Sequence, residues 1–364
     1  MITSAIVPDR VAMVFEDRRI TYEQMQNRAN RLANALENLG VGSGDRVAIL
    51  QVNCAEYVEA YFAAAKLDAV FVPLNFRARV DELAYMINDS APKALLVGKR
   101  YFDLVKSCCD QLASVEQYIA LEKPSKGMSS QSSPLDKEAT PLPSLLYKGG
   151  IEGGSRPWHF YEDLIASAPN DERFPIDDGD DLTVIMFTAG TTGFPKGVML
   201  SHDSFASYIL SNVSPADPDD DERNILTVPL YHIAGMQAVM AAVYGGRTLI
   251  IQRQFEPKEW MQLVEREQAN RAMMVPTMLK MLIDHPDFHQ HDLSSLRVIT
   301  YGAAPMPLEV IKRAIRVFPD TYFINAFGQT ETAATITMLP PEDHVLAGSP
   351  EEIERKMKRL SSIG

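Results

Sequence analysis

Short aliphatic runs alternate with longer stretches of helical period along most of this chain, and that rhythm admits few folds. Arg46 to Leu50, Ala69 to Pro73 and Ala94 to Val97 read as buried strands, separated by helical patterns over Cys54 to Lys66 and Val80 to Asn88. Strand, helix and strand in succession build a mainly parallel sheet whose faces the helices cover. The alternation resumes near residue 180. Strands are predicted at Thr183–Phe187, Leu226–Val228, Thr248–Gln252, Ala272–Val275, Val298–Tyr301 and Tyr322–Ala326, with helices over Pro257–Gln268, Thr277–Asp284 and Pro307–Phe318. The expected fold class is therefore α/β, with two stacked lobes, residues 1–175 and 176–340, each a mainly parallel sheet flanked by helices.

Local chemistry punctuates this pattern. Val11 to Phe15 alternates as a strand and is followed by a turn at Glu16–Arg19. Thr21 and Gln24 then have the form of a capping box opening a helix through Leu39. Gly40-Val-Gly-Ser-Gly-Asp45 resembles a dinucleotide loop only superficially, because Asp45 replaces the third glycine and the segment follows a helix. Residues 122–157 turn to Ser, Pro, Gly and Lys and read as a flexible surface excursion. Near the end, Glu351–Leu360 places Ile353, Met357 and Leu360 on one helical face.

Composition excludes several classes. The 364 residues include 35 basic and 48 acidic side chains, a net charge of −13, which opposes general nucleic-acid binding. Three cysteines make neither a disulfide framework nor a metal pattern, and the N-terminus lacks the apolar core of a signal peptide. The expected compartment is the cytoplasm. Ile225 to Gly246 carries no Asp, Glu, Lys or Arg, but Pro229, His232, Gln237 and the Gly245-Gly246 pair interrupt it. It reads as two buried elements joined by a loop, with no membrane span. His285, His289 and His291 are close in sequence, yet Pro286 breaks the helix that would align them on a metal.

The most informative string is Phe187-Thr-Ala-Gly-Thr-Thr-Gly-Phe-Pro-Lys-Gly-Val198. Glycines let a backbone approach an anion and present N–H groups to it, threonines add hydroxyl donors, and Lys196 adds a mobile cation. The combination suits a polyphosphate. It is not a Walker loop, since Pro195 precedes Lys196 and Gly197 follows it.

These twelve positions resemble the phosphate loop of the acyl-adenylate-forming superfamily, which includes acyl- and aryl-CoA synthetases, firefly luciferase and peptide-synthetase adenylation domains. Val228-Pro-Leu-Tyr-His-Ile-Ala-Gly235, Tyr301-Gly-Ala-Ala-Pro305 and Asn325-Ala-Phe-Gly-Gln-Thr-Glu331 follow in the family's order. Similarity extends to Ala69–Asn75 and Leu83–Ser90 in the first lobe. The resemblance implies the fold of the N-terminal domain of these enzymes. It also implies that a carboxylic acid is activated by ATP to acyl-AMP and passed to coenzyme A, with Mg²⁺ assisting. Acid, ATP and CoA are thus the small-molecule partners, and a homodimer is left open.

Carried over residue by residue, the resemblance gives a nucleotide site of Thr188, Ala189, Gly190, Thr191, Thr192, Gly193 and Lys196, together with Gly302, Ala303, Ala304, Pro305, Asn325, Ala326, Phe327, Gly328, Gln329 and Thr330. Thr330 would bond the α-phosphate, Glu331 would bind Mg²⁺, and Lys196 and His232 complete the catalytic set. His232, Ile233, Ala234, Gly235, Met274, Tyr301 and Gly302 would line the acid pocket. No aspartate stands in Tyr231-His232-Ile233 to hold a substrate amine, so an amino acid is disfavoured. An acyl-AMP ligase serving a carrier protein, a luciferase-like oxidative enzyme, or a non-catalytic relative would carry the same motifs. The family's downstream Thr-Gly-Asp does not occur, and residues 341–364 read as a truncated connector lacking the mobile C-terminal domain. Such a chain is expected to bind ATP or acyl-AMP and to turn over weakly.

Overall fold

The computed structural model describes residues 2–122, 158–174, 182–189, 193–333 and 335–363. Most of the predicted excursion, residues 123–157, lies outside them, as do Gly190, Thr191 and Thr192. In chain order the strands are β1 (Val11–Phe15), β2 (Arg18–Thr21), β3 (Arg46–Leu50), β4 (Val70–Pro73), β5 (Ala94–Val97), β6 (Gln117–Ala120), β7 (Trp158–Phe160) and β8 (Leu182–Thr188). They continue as β9 (Lys196–Ser201), β10 (Arg223–Leu226), β11 (Thr248–Ile251), β12 (Arg271–Met274), β13 (Val298–Gly302), β14 (Tyr322–Gly328) and β15 (Thr335–Leu339).

These strands form two sheets, one with the order β15-β14-β13-β12-β10-β11-β1-β2 and one with β7-β6-β5-β3-β4-β8-β9. The chain accordingly divides into two compact units, one of residues 1–26, 52–55 and 200–364, the other of 27–51 and 56–199. This differs from the expected break at 175/176. The strand at Thr183–Phe187, assigned to the second lobe, is β8, and it pairs in parallel with β4 through Phe71 and Val184. Conversely β1 lies parallel to β11, Met13 opposite Leu249. A strand's local pattern marks it as buried without naming its neighbour.

In the eight-stranded sheet β12, β10, β11 and β1 run parallel, as do β12, β13 and β14. Only β2 and β15, at the edges, are antiparallel. The helices Pro257–Glu267, Pro276–Ile283 and Leu308–Val317 pack Trp260, Leu279 and Ile311 into a core with Ile250, Met274, Ile299, Tyr301 and Phe323. In the seven-stranded sheet Val47, Ile49, Leu95 and Phe71 are fully buried, and Tyr57 and Tyr61 meet Phe71 edge-on at 5.6 and 5.7 Å.

Several local expectations hold. The helix Tyr22–Asn38 opens with the predicted box, in which the Thr21 N–H donates to Gln24 Oε1 at 3.0 Å and the Gln24 N–H to Thr21 Oγ1 at 3.2 Å. Residues 225–246 become the end of β10, a loop, and the twelve-residue helix Ile233–Tyr244. Among the described residues no helix is long and apolar enough to cross a membrane. The strand predicted at Leu226–Val228 sits earlier, at Arg223–Leu226, because those residues pair with Thr248–Ile251 while the backbone of Val228 and Leu230 turns to another partner described below.

Candidate active site

The phosphate-loop string leaves the carboxyl end of β8, a strand parallel to β4. Thr188 is half-buried and Ala189 exposed. Gly193 has φ +119°, a conformation L side chains rarely adopt, which explains the glycine. Phe194 is 60% exposed on its outer side but stacks on Tyr85 of the helix Val80–Ser90, ring centroids 4.6 Å apart. This aromatic pair anchors the outgoing limb of the loop. A Cβ at Gly197 would come within 3.0 Å of Ile185 Cγ2, so a larger residue there would crowd that side chain where β9 runs beside β8. Lys196 opens β9, is exposed, and makes no ion pair with another described residue. Its ammonium is therefore available to an anion.

The other motifs belong to the other unit and share one edge of its sheet. The chain passes from β10 to β11 on one side and then crosses to β12 on the other, making a topological switch at β10. In open α/β sheets ligands bind beyond the carboxyl ends of the strands at such a switch. The Val228–Gly235 segment leaves β10 there, Gly302–Pro305 leaves β13, and Gln329–Glu331 leaves β14, all from the same edge.

His232 is exposed and caps the helix Ile233–Tyr244 through its backbone, with no side-chain cap bond. Its ring lies 4.1 Å from that of buried Tyr231. Ile233 and Ala234 are half-buried. A Cβ at Gly235 would fall 2.5 Å from the Pro229 carbonyl oxygen, so the helix can start this close to the loop only with glycine.

At β13, Gly302 is opposite Ala326, whose carbonyl oxygen would be 2.0 Å from a Cβ. Ala303, Ala304 and Pro305 are exposed, and Ala303 holds φ +60°. Small residues thus leave an open backbone ledge beyond the strand, a surface suited to a flat ring. Ala326, Phe327 and Gly328 are half-buried along β14. Buried Asn325 donates from Nδ2 to the Ser362 carbonyl at 3.3 Å. Gln329–Thr332 closes in a capping turn, the Thr332 hydroxyl donating to the Gln329 carbonyl at 2.9 Å. This turn holds Thr330 half-buried and Glu331 exposed, the latter without an ion pair to any described residue.

Met274 and Tyr301, read as lining the acid pocket, are core residues at 0% exposure. The Tyr301 hydroxyl bonds His344 Nε2 at 2.9 Å, and His344 Nδ1 in turn donates to the Pro340 carbonyl at 2.9 Å. Burial pushes the Tyr301 hydroxyl up and the His344 imidazole down. Both side chains face inward because their strands are covered by the helices packed on them.

Two contributors escaped the sequence reading. Tyr85, under Phe194, carries no local signal beyond a helical aromatic. Asn53 is a lone amide after an apolar run, yet it is bonded to the backbone of the Val228–Gly235 segment. Among the described residues no group of three or more His, Cys, Asp or Glu side chains is gathered for a metal. One exposed carboxylate, Glu331, nevertheless fits Mg²⁺, which is commonly held by one or two carboxylates with phosphates and water.

The sequence matches the AMP-binding enzyme family over residues 3–364, and the chain belongs to that family. It is 33% identical over 353 residues to a putative acyl-CoA synthetase, YngI, of Bacillus subtilis, covering 94% of this chain and 62% of that protein. It is 31% identical over 330 residues to the long-chain-fatty-acid–CoA ligase FadD13 of Mycobacterium tuberculosis, covering 90% of this chain and 58% of that protein. The crystal structure of the inhibitor-bound N-terminal domain of FACL13 from Mycobacterium tuberculosis superposes with a TM-score of 0.77 at 29% identity, over 94% of this chain and 77% of that one. The chain thus spans about three fifths of the curated relatives it matches.

Proposed function

We propose that this chain carries the ATP- and acid-binding parts of an enzyme that converts a carboxylic acid to acyl-AMP and then to acyl-CoA. The observation that carries the proposal is the gathering of Val228–Gly235, Gly302–Pro305 and Gln329–Glu331 at the carboxyl edge of one parallel sheet, at its topological switch. Family membership and the CoA-ligase relatives support the same reading.

In the first step a carboxylate oxygen attacks the α-phosphorus of ATP and pyrophosphate leaves. In the second the thiolate of CoA attacks the acyl carbonyl and AMP leaves. Positioning and charge stabilisation dominate such phosphoryl-type chemistry. Lys196 and the loop from Thr188 to Gly193 would hold the β- and γ-phosphates. Thr330 would donate to the α-phosphate, and the ledge at Gly302–Pro305 would seat adenine between β13 and Phe327. His232 would stand at the mouth of the acid pocket with Ala234 and Gly235. Mg²⁺ on Glu331 would neutralise phosphate charge.

Titration calorimetry with MgATP and with a hydrolysis-resistant acyl-AMP analogue tests this reading. Lys196→Ala is expected to weaken ATP by roughly tenfold or more, the loss of a charge-assisted contact, and to leave the analogue nearly unchanged, since it lacks the β- and γ-phosphates. Glu331→Ala should weaken ATP only when Mg²⁺ is present. Absence of binding by either ligand to the unmodified chain would overturn the proposal. Dependence of turnover on CoA, against a carrier-protein thiol, identifies the acyl acceptor.

A further inference from the structure

We infer that Asn53 is a positioning residue that fixes the loop carrying His232 at the carboxyl edge of the eight-stranded sheet. The inference rests on the proposed reading of Val228–Gly235 as the acid-pocket segment. Asn53 comes just after β3 in sequence, yet it belongs to the other unit, that of the eight-stranded sheet. It is 2% exposed at the ends of β10 and β11.

Its carboxamide is fully engaged. Nδ2 donates to the Val228 carbonyl at 3.1 Å and to the Gln252 carbonyl at 3.2 Å, with the Thr227 carbonyl at 3.5 Å. Oδ1 accepts the Leu230 N–H at 2.9 Å. Without it these groups would be stranded. The ladder between β10 and β11 ends where the Gln252 N–H meets the Leu226 carbonyl at 3.0 Å, and Val228 and Leu230 are 2% and 1% exposed. Buried backbone groups of this kind need partners.

The loop is held from two sides. Asn53 fixes Val228 and Leu230, while the His232 N–H donates to the Pro229 carbonyl at 3.1 Å and the helix start at Gly235 leaves no room for a Cβ beside that carbonyl. His232, two residues beyond Leu230, has little freedom left in its backbone. A primary carboxamide suits this position because it offers two donors and an acceptor in one plane. A carboxylate would turn lone pairs toward the Val228 and Gln252 carbonyls. Asn53 touches no reacting atom in this account and acts only through the loop.

The test compares the full chain with Asn53→Asp and Asn53→Ser, using calorimetric titration with AMP and with 5′-O-(N-dodecanoylsulfamoyl)adenosine, and circular dichroism to verify folding. Both variants are expected to bind the acyl analogue about tenfold more weakly or worse, the loss appropriate to stranded buried groups, with AMP affinity held within about twofold. Asparagine and aspartate have the same shape, so volume cannot account for the loss in Asn53→Asp. Equal weakening of both ligands, or unchanged analogue binding, would overturn the positioning role. Should both variants unfold, amide exchange in the unmodified chain decides, because peptides over 227–235 must be protected as slowly exchanging structure. Rapid exchange there would overturn the inference. Binding of neither ligand by the unmodified chain would count against the adenylate site itself, and the exchange measurement would then decide the role of Asn53 separately.

Discussion

At the scale of single residues, the chain uses side chains with one workable identity to hold backbone in place. Gly302 is glycine because the Ala326 carbonyl occupies the Cβ position, and Gly235 is glycine because the Pro229 carbonyl does. The Tyr301–His344 pair is of the same kind. His344 donates through Nδ1 to the Pro340 carbonyl, so in the neutral ring Nε2 is left to accept the Tyr301 hydroxyl. Burial, opposed by the Pro340 bond and by Asp343, holds its pKa below the ordinary 6.5. The unfolded chain therefore takes up a proton below about 6.5 that the native chain refuses, and stability present above that pH falls as the solution is acidified. Denaturation midpoints measured from pH 7 to pH 5 are expected to decline, with His344 contributing to the loss. In His344→Gln the decline should be shallower. A slope identical to that of the unmodified chain would mean the imidazole is protonated in the fold.

At the scale of elements, legibility followed burial along many strands, though β6, buried at three of its four residues, went unread. β3, β5 and β11 were readable because every residue but Arg46 is buried. The edge strands β2, β9 and β15 were not, since Arg19, Lys196, Gly197, Met199, Ile336 and Met338 are exposed and blur the alternation. The helix Tyr161–Ser167 was missed too, and an ion-pair cluster fastens it. Fully buried Glu59 accepts from Arg28 Nε at 2.7 Å and from the Tyr161 hydroxyl at 2.7 Å, while Arg28 also forks onto Glu162 at 2.7 and 3.1 Å. Three helices thereby share one carboxylate. Removing one member of a buried pair leaves the other charge uncompensated, whereas replacing both with apolar groups is nearly neutral. Glu59→Ala should cost about 3 kcal/mol, the low end of the range because Arg28 keeps Glu162. Arg28→Met with Glu59→Leu should recover most of that loss in urea denaturation. A Glu59→Ala midpoint indistinguishable from the unmodified one would show that the cluster contributes no stability.

At the scale of the molecule, the sequence told the motifs and their order but not the division of the chain. The string 187–198 and the segments Val228–Gly235, Tyr301–Pro305 and Asn325–Glu331 were legible because each is a run of special residue types. That residues 1–26 join residues 200–364 in one unit was not, because pairing across more than 200 residues leaves no local mark. The joining is intimate. β1 lies beside β11, where Met13, Val14, Leu249 and Ile250 are 3% exposed or less. The Tyr22 hydroxyl donates to the Arg247 carbonyl at 2.6 Å, Thr3 Oγ1 to the Val243 carbonyl at 2.8 Å, and Arg10 Nη1 to the Gly246 carbonyl at 2.9 Å. Cutting the chain at the break its rhythm suggests would therefore divide both sheets. A piece of residues 176–364 would lack β1 and β2 and expose the bare edge of β11, while its β8 and β9 would have no β4 to pair with. A piece of residues 1–175 would lose those two strands and carry β1 without β11. Unpaired edges and uncovered apolar faces favour aggregation over folding. Neither piece alone is expected to give a cooperative thermal transition by circular dichroism, whereas the two produced together should regain one. A cooperative melt from residues 176–364 by themselves would mean that β1 and β2 are dispensable to the eight-stranded sheet.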